Sequence, residues 1–252
     1  MKTSKKALAF TLILLPVAAA GAYFVIQMSF STLDPSVIDA AVSQVGSRGA
    51  VVALSMIQPV IFTLLCGFFG YLLSDKLGLM RPFRFEGRPL FITLTASLIG
   101  GAIFSLDAWS FAKWIPEIGE SYKAAGTFDP TTWIASVLYG GVIEEVMMRL
   151  FLMSLIAFLL WKIFFKKRET APSGVLIGAN LCAAIIFAAG HLPATAQTFG
   201  TLTAPILFRC FLLNGTFGLL FGRLYRKYGV HYAMLSHMLF HIVSRTIWLI
   251  AF

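Results

Sequence analysis

Seven apolar runs, separated by short polar connections, constrain this chain more than any other feature. They cover residues 7–28, 51–73, 90–111, 131–161, 174–191, 202–222 and 230–252. A helix crosses the hydrocarbon core with roughly 20 apolar residues. Lipid offers the backbone no hydrogen bonds, so runs of this length must pair their own amides as helices. The expected fold is an all-α polytopic transmembrane bundle of about seven spans, within bounds of six to eight. With 252 residues, 58% hydrophobic and 12% charged, little chain is left for a soluble module. The reading is one membrane domain over 1–252, with three N-terminal transmembrane helices in 1–130 and a catalytic core in 131–252.

Charge sets the expected orientation. Net charge is +9, but the cations lie in short clusters between apolar runs: Lys5 and Lys6, then Lys76 to Arg88, then Lys162 to Arg168, then Arg223 to Lys227. Counting from a cytoplasmic N-terminus, all of them fall on the inner side, as the positive-inside bias requires. The pattern lacks the aromatic interleaving of a nucleic-acid surface, so no nucleic-acid partner is expected. The expected location is the cell membrane, as a multi-pass protein with lipid around it. No oligomeric state is indicated. Run 7–28 resembles a signal peptide but is long enough to span, and is expected to be an uncleaved first helix. Cys66, Cys182 and Cys210 fall singly in apolar segments and read as packing residues.

Polar residues inside spans are few, and each needs a partner. Glu144, Glu145 and Arg149 lie in the fourth run, Asn180 and His191 in the fifth, Arg209 and Asn214 in the sixth, and His237, His241 and Arg245 in the seventh. Asp107, at a span end, is expected to snorkel. Glu145 and Arg149 are four apart with the acid first, the favourable order for a pair on one helical face. Glu144 is rotated about 100° away and should point to other partners. His237 and His241 also share a face. Asn180 and Asn214 read as helix–helix glue, while Arg209 and Arg245 are open between structural and site-supporting roles. A carboxylate beside an imidazole can deprotonate water, and further donors can stabilise an oxyanion, so hydrolysis is the compatible chemistry. Neither a Gly-x-Ser-x-Gly elbow nor His-Glu-x-x-His is present. A non-catalytic immunity or scaffold protein that keeps the cluster for packing is the alternative.

Three motifs in order, Glu144-Glu145-x-x-x-Arg149, Phe187-x-x-x-His191 and His237-x-x-x-His241, resemble the CPBP intramembrane proteases. That family includes the type II CAAX prenyl endopeptidases and the Abi or bacteriocin-processing proteins. The resemblance covers roughly 131–245. It implies an endopeptidase acting on a membrane-associated or prenylated peptide or protein reached from the membrane. In it, Glu144 and His191 would activate water, His237 and His241 would stabilise the oxyanion, and Glu145 and Arg149 would support the site. No cofactor is expected. Family members commonly carry Asn where His241 stands, and a His there opens a zinc alternative through Glu144, His191, His237 and His241. Depth raises a difficulty: with Lys162 at the inner boundary, Glu144 falls in the outer part of its span, while His237 lies only about two turns from the inner end of its own.

Overall fold

The computed structural model describes residues 3–125 and 128–252. Met1 and Lys2, the start of the basic N-terminal cluster, and residues 126–127 lie outside it. Among the described residues the chain is helical throughout, with no strand. Seven helices are long and apolar enough to cross a membrane: Thr3–Thr32, Arg48–Lys76, Gly87–Lys113, Pro130–Phe164, Ser173–Phe199, Ala204–Tyr228 and Val230–Ala251. The protein is a multi-pass integral membrane protein.

Helix α1 (Thr3–Thr32) leads into a short α2 (Pro35–Val45) within the polar connection that follows the first run. Local chemistry builds α2: the Asp34 carboxylate caps the Ser36 amide at 2.9 Å, Pro35 occupies the first turn, and Gly46 ends it at φ +96°. Those cap bonds hold the exposed Asp34 carboxyl below its ordinary range. Ser47 caps α3 (Arg48–Lys76), which packs along α1. Helix α4 (Gly87–Ser105) lies against the last helix, and α5 (Pro116–Ala125) occupies the connection before the fourth span.

The fourth span begins with α6 (Pro130–Ala135), capped by both oxygens of Asp129. It then winds with π-type i→i+5 bonding through Ser136–Glu144 and Val146–Met153, and closes as α7 (Ser154–Phe164). The π stretch coincides with the acidic motif, and such winding recurs at functional sites. After it come α8 (Ser173–Gly190), α9 (Leu192–Phe199), α10 (Ala204–Tyr228) and α11 (Val230–Ala251).

Small residues bring the spans together, as packing in lipid favours. A Cβ on Gly70 would sit 2.9 Å from the Leu150 backbone, so α3 meets the fourth span backbone to backbone. On the opposite face, a Cβ on Gly141 would fall 2.3 Å from Met238 Cγ and 3.0 Å from its Cα. This contact sets the antiparallel register of the fourth span on α11.

Register also resolves the depth difficulty. Ser154 lies 2.6 Å from Tyr225, which donates to Ser74 at 2.8 Å, so α3, α10 and the fourth span share one level there. The first two helices end within three residues, at Lys76 and Tyr228, whereas the fourth span runs ten further to Phe164. Its excess length lies on the basic side. Lys162 therefore stands beyond the ends of its neighbours, and Glu144 lies only ten residues from the shared level, at the height of His237.

Two further expectations are corrected. Asp107 does not snorkel: it is buried, and both carboxylate oxygens accept from Arg209 Nε at 2.9 Å, while Tyr122 also donates to it. Burial, with the Asp107 charge beside it, pushes the Tyr122 hydroxyl well above its ordinary range, so it stays a donor. Packing accounts for Cys66 and Cys210, but Cys182 is exposed on α8.

Candidate active site

A cavity of about 260 Å³ opens where the fourth span, α8, α10 and α11 meet the far half of α1. Glu144, His191, His237 and His241 all line it, joined by Tyr139 and Arg245. Glu145 and Arg149 lie behind this wall, 0% and 2% exposed.

Arg149 is held from several sides. Its Nη1 lies 3.1 Å from Glu145 Oε1, its Nη2 donates to the Gly218 carbonyl at 3.2 Å, and its guanidinium sits over the Phe187 ring at 4.4 Å. A guanidinium suits this place because its planar fork can bond and stack at once. Glu145 does more than neutralise Arg149. The same Oε1 accepts from His237 Nδ1 at 2.9 Å, which turns the His237 Nε2 edge away from the ion pair. Phe221 stacks on His237 at 4.3 Å between ring centres and His241 at 4.8 Å, so the ring is clamped on both sides.

His191 occupies the junction of α8 and α9. Its Nδ1 donates to the Phe187 carbonyl at 2.8 Å; a carbonyl can only accept, so in the neutral ring Nε2 is left bare. That fixes His191 as a hydrogen-bond acceptor on its free side.

His241 depends on Gly140. A Cβ at position 140 would lie 2.7 Å from His241 Nε2, so the imidazole rests directly on the backbone of the π stretch. Arg245 Nε donates to Ser136 Oγ at 2.9 Å, tying the mouth of α11 to the fourth span. Asn214 lines the cavity but spends its amide on the Cys210 carbonyl, and Asn180 bonds the Leu219 carbonyl from α8, both helix–helix or intrahelical bonds. Arg209 is committed to Asp107.

Tyr139, Gly140 and Gly141 have no place among the sequence candidates. The adjacent glycines were the available signal, since small residues inside a span mark close helix approach. Among the described residues, no three His, Cys, Asp or Glu side chains form a set able to hold a metal ion. His237 Nδ1 and His191 Nδ1 are engaged by Glu145 and the Phe187 carbonyl, which leaves Nε2 as the open edge of each ring.

Residues 127–243 match the family model described as Type II CAAX prenyl endopeptidase Rce1-like. Over that segment, a little under half of the chain, the protein is similar to the CAAX-protease family. The segment contains all three motifs and the whole acid–imidazole constellation. No curated protein and no solved structure matches the chain. Over that segment the likeness supports CAAX-type intramembrane protease activity in general, and α1, α3 and α4 of the first three spans pack against it.

Proposed function

We propose that the protein is a glutamic-type intramembrane endopeptidase that hydrolyses a peptide bond in a membrane-associated or prenylated peptide or protein. The observation that carries this reading is the convergence of Glu144, His191, His237 and His241, from three separate spans, on one cavity. In the proposed reaction a water held by Glu144 and the bare Nε2 of His191 gives up a proton to this pair. Its oxygen attacks the scissile carbonyl carbon, and the carbonyl oxygen takes the developing charge. His237 and His241 donate to that oxyanion, and the proton held by the pair passes to the leaving amine.

Hydrogen bonding restricts how His237 can serve. Because Nδ1 already donates to Glu145, donation from Nε2 needs a ring protonated on both nitrogens, whose charge the Glu145 carboxylate offsets at 2.9 Å. Glu145 is then a positioning residue for the oxyanion donor, and Arg149 keeps Glu145 in place. The chemistry uses no metal in this scheme, and the cytoplasmic N-terminus proposed from the charge bias would open the basic end of the bundle to the cytoplasm.

The test is cleavage of a farnesylated CAAX peptide by purified protein in nanodiscs. General acid–base catalysis contributes about 10²–10⁴-fold, and Glu144→Gln should remove at least this much while circular dichroism and melting remain as in wild type. A binding or scaffold protein would tolerate that isosteric change. Retained turnover in Glu144→Gln would discard the reading.

A further inference from the structure

The basic end of the bundle holds two adjoining cavities that share no lining residue with the catalytic one. The first, about 830 Å³, is an apolar groove between α1, α3 and α11, lined by Phe10, Ile13, Leu14, Met234 and Leu235 with Lys6 and Arg81 at its rim. This volume is within the ~300–1,000 Å³ of small-molecule sites. The second, about 290 Å³, is polar and is lined by Arg81, Arg84, Lys227 and His231, together with Glu86. Arg81, Pro82 and His231 line both, so the two lie side by side.

Charge in the smaller cavity is unbalanced. Glu86 is already paired with Arg84 at 2.8 Å, and no acid within salt-bridge distance answers Arg81 or Lys227 among the described residues. His231 is the second, independent sign. It is 2% exposed and held between Phe83 and Phe85, and its Nε2 donates to the Arg84 carbonyl at 3.0 Å. Its Nδ1 is buried with no hydrogen-bond partner. Buried polar atoms are normally satisfied, so an orphan of this kind marks a place where another group can bind.

We propose that these cavities together bind one anionic phospholipid, its phosphate between Arg81 and Lys227, a headgroup hydroxyl donating to the bare Nδ1 of His231, and one acyl chain in the apolar groove. A basic pocket between transmembrane helices is suited to an anionic headgroup. A substrate chain is disfavoured as the occupant, because the groove shares no lining residue with the catalytic cavity and Gly141 packs tightly on Met238 between the two.

Native mass spectrometry of the full chain in detergent tests this, with dioleoylphosphatidylglycerol, dioleoylphosphatidylcholine and inorganic phosphate as probes. The glycerol lipid should bind at least tenfold more tightly than the choline lipid. Arg81→Gln and Lys227→Gln, both exposed positions, should each weaken it roughly fivefold, the effect of about one basic residue. Leu235→Trp, which narrows the groove, should weaken it without touching any charge. Inorganic phosphate at millimolar concentration should not displace it. Equal binding of the two lipids, indifference to the charge variants, or indifference to Leu235→Trp would each overturn the assignment. Displacement by phosphate would reduce the site to a plain anion pocket, and displacement by a farnesylated peptide would give the groove to substrate; either result contradicts a resident lipid.

Discussion

Two buried carboxylates in this bundle are each held by an arginine, and they are put to different use. Asp107 and Arg209 form a cluster with Tyr122, in which both carboxylate oxygens are engaged and none of the three residues lines the catalytic cavity. Glu145 and Arg149 form a pair whose shared oxygen also grips His237, and that ring faces a cavity bearing a second acid, Glu144. A buried ion pair by itself is weak evidence of function, since desolvation consumes most of its attraction. What separates the two is the adjoining cavity and the imidazole handed into it.

The comparison breaks most visibly when each pair is dismantled. Arg149→Met should strand the Glu145 charge, cost about 3–5 kcal/mol in denaturant unfolding, and abolish peptide cleavage. Replacing the whole outer cluster, Asp107→Leu with Arg209→Met and Tyr122→Phe, should leave no orphaned charge. Stability should then stay within about 2 kcal/mol of wild type, and cleavage within a few-fold. If the outer replacement also abolished cleavage with the fold intact, the two clusters would not differ in the way described.

Gly141→Ala sharpens the same contrast at the backbone. Its Cβ meets the Met238 main chain as well as its side chain, so thermal melting should show a loss of about 1–3 kcal/mol, with cleavage falling as the α11 register shifts. Smaller again is His241→Asn, which keeps a hydrogen-bond donor on the cavity wall. Its kcat/KM should stay within about tenfold, or ~1.4 kcal/mol, of wild type.

The smallest effect belongs to Asp129, which caps the fourth span and belongs to neither pair. Asp129→Ala should cost about 1 kcal/mol. Its hydrogen bonds to Thr132 and Thr131 hold the carboxyl below its ordinary value. The depressed folded pKa means this contribution is present above the unfolded value near 4 and is lost as pH falls through the folded one. Melting of wild type and variant should therefore converge at low pH.

The contrast between the clusters also shows what the sequence made legible. Span number and the Glu145–Arg149 pair follow from hydropathy and four-residue spacing, which are local. The bond from Glu145 to His237 joins residues 92 apart, and that from Arg209 to Asp107 joins residues 102 apart. No spacing rule reaches either. Asp107 read as a snorkelling residue because its run ends nearby, when in fact α4 stops at Ser105 and a 3₁₀ turn carries Asp107 inward onto α10. Depth counted from Lys162 stayed open for a related reason: composition marks where a helix becomes polar, and only its neighbours mark where the bundle ends. The π winding of Ser136–Met153 likewise has no signature in apolar periodicity, though the Gly140–Gly141 pair pointed to close contact there.

The central claim concerns Glu144, the acid that the outer cluster lacks. Single-turnover cleavage of a farnesylated peptide by Glu144→Gln protein in nanodiscs, with melting recorded on the same sample, tests it directly. The account predicts wild-type melting and a chemical step slowed by at least about 10²-fold. A correctly folded Glu144→Gln enzyme that cleaves at the wild-type rate would contradict it.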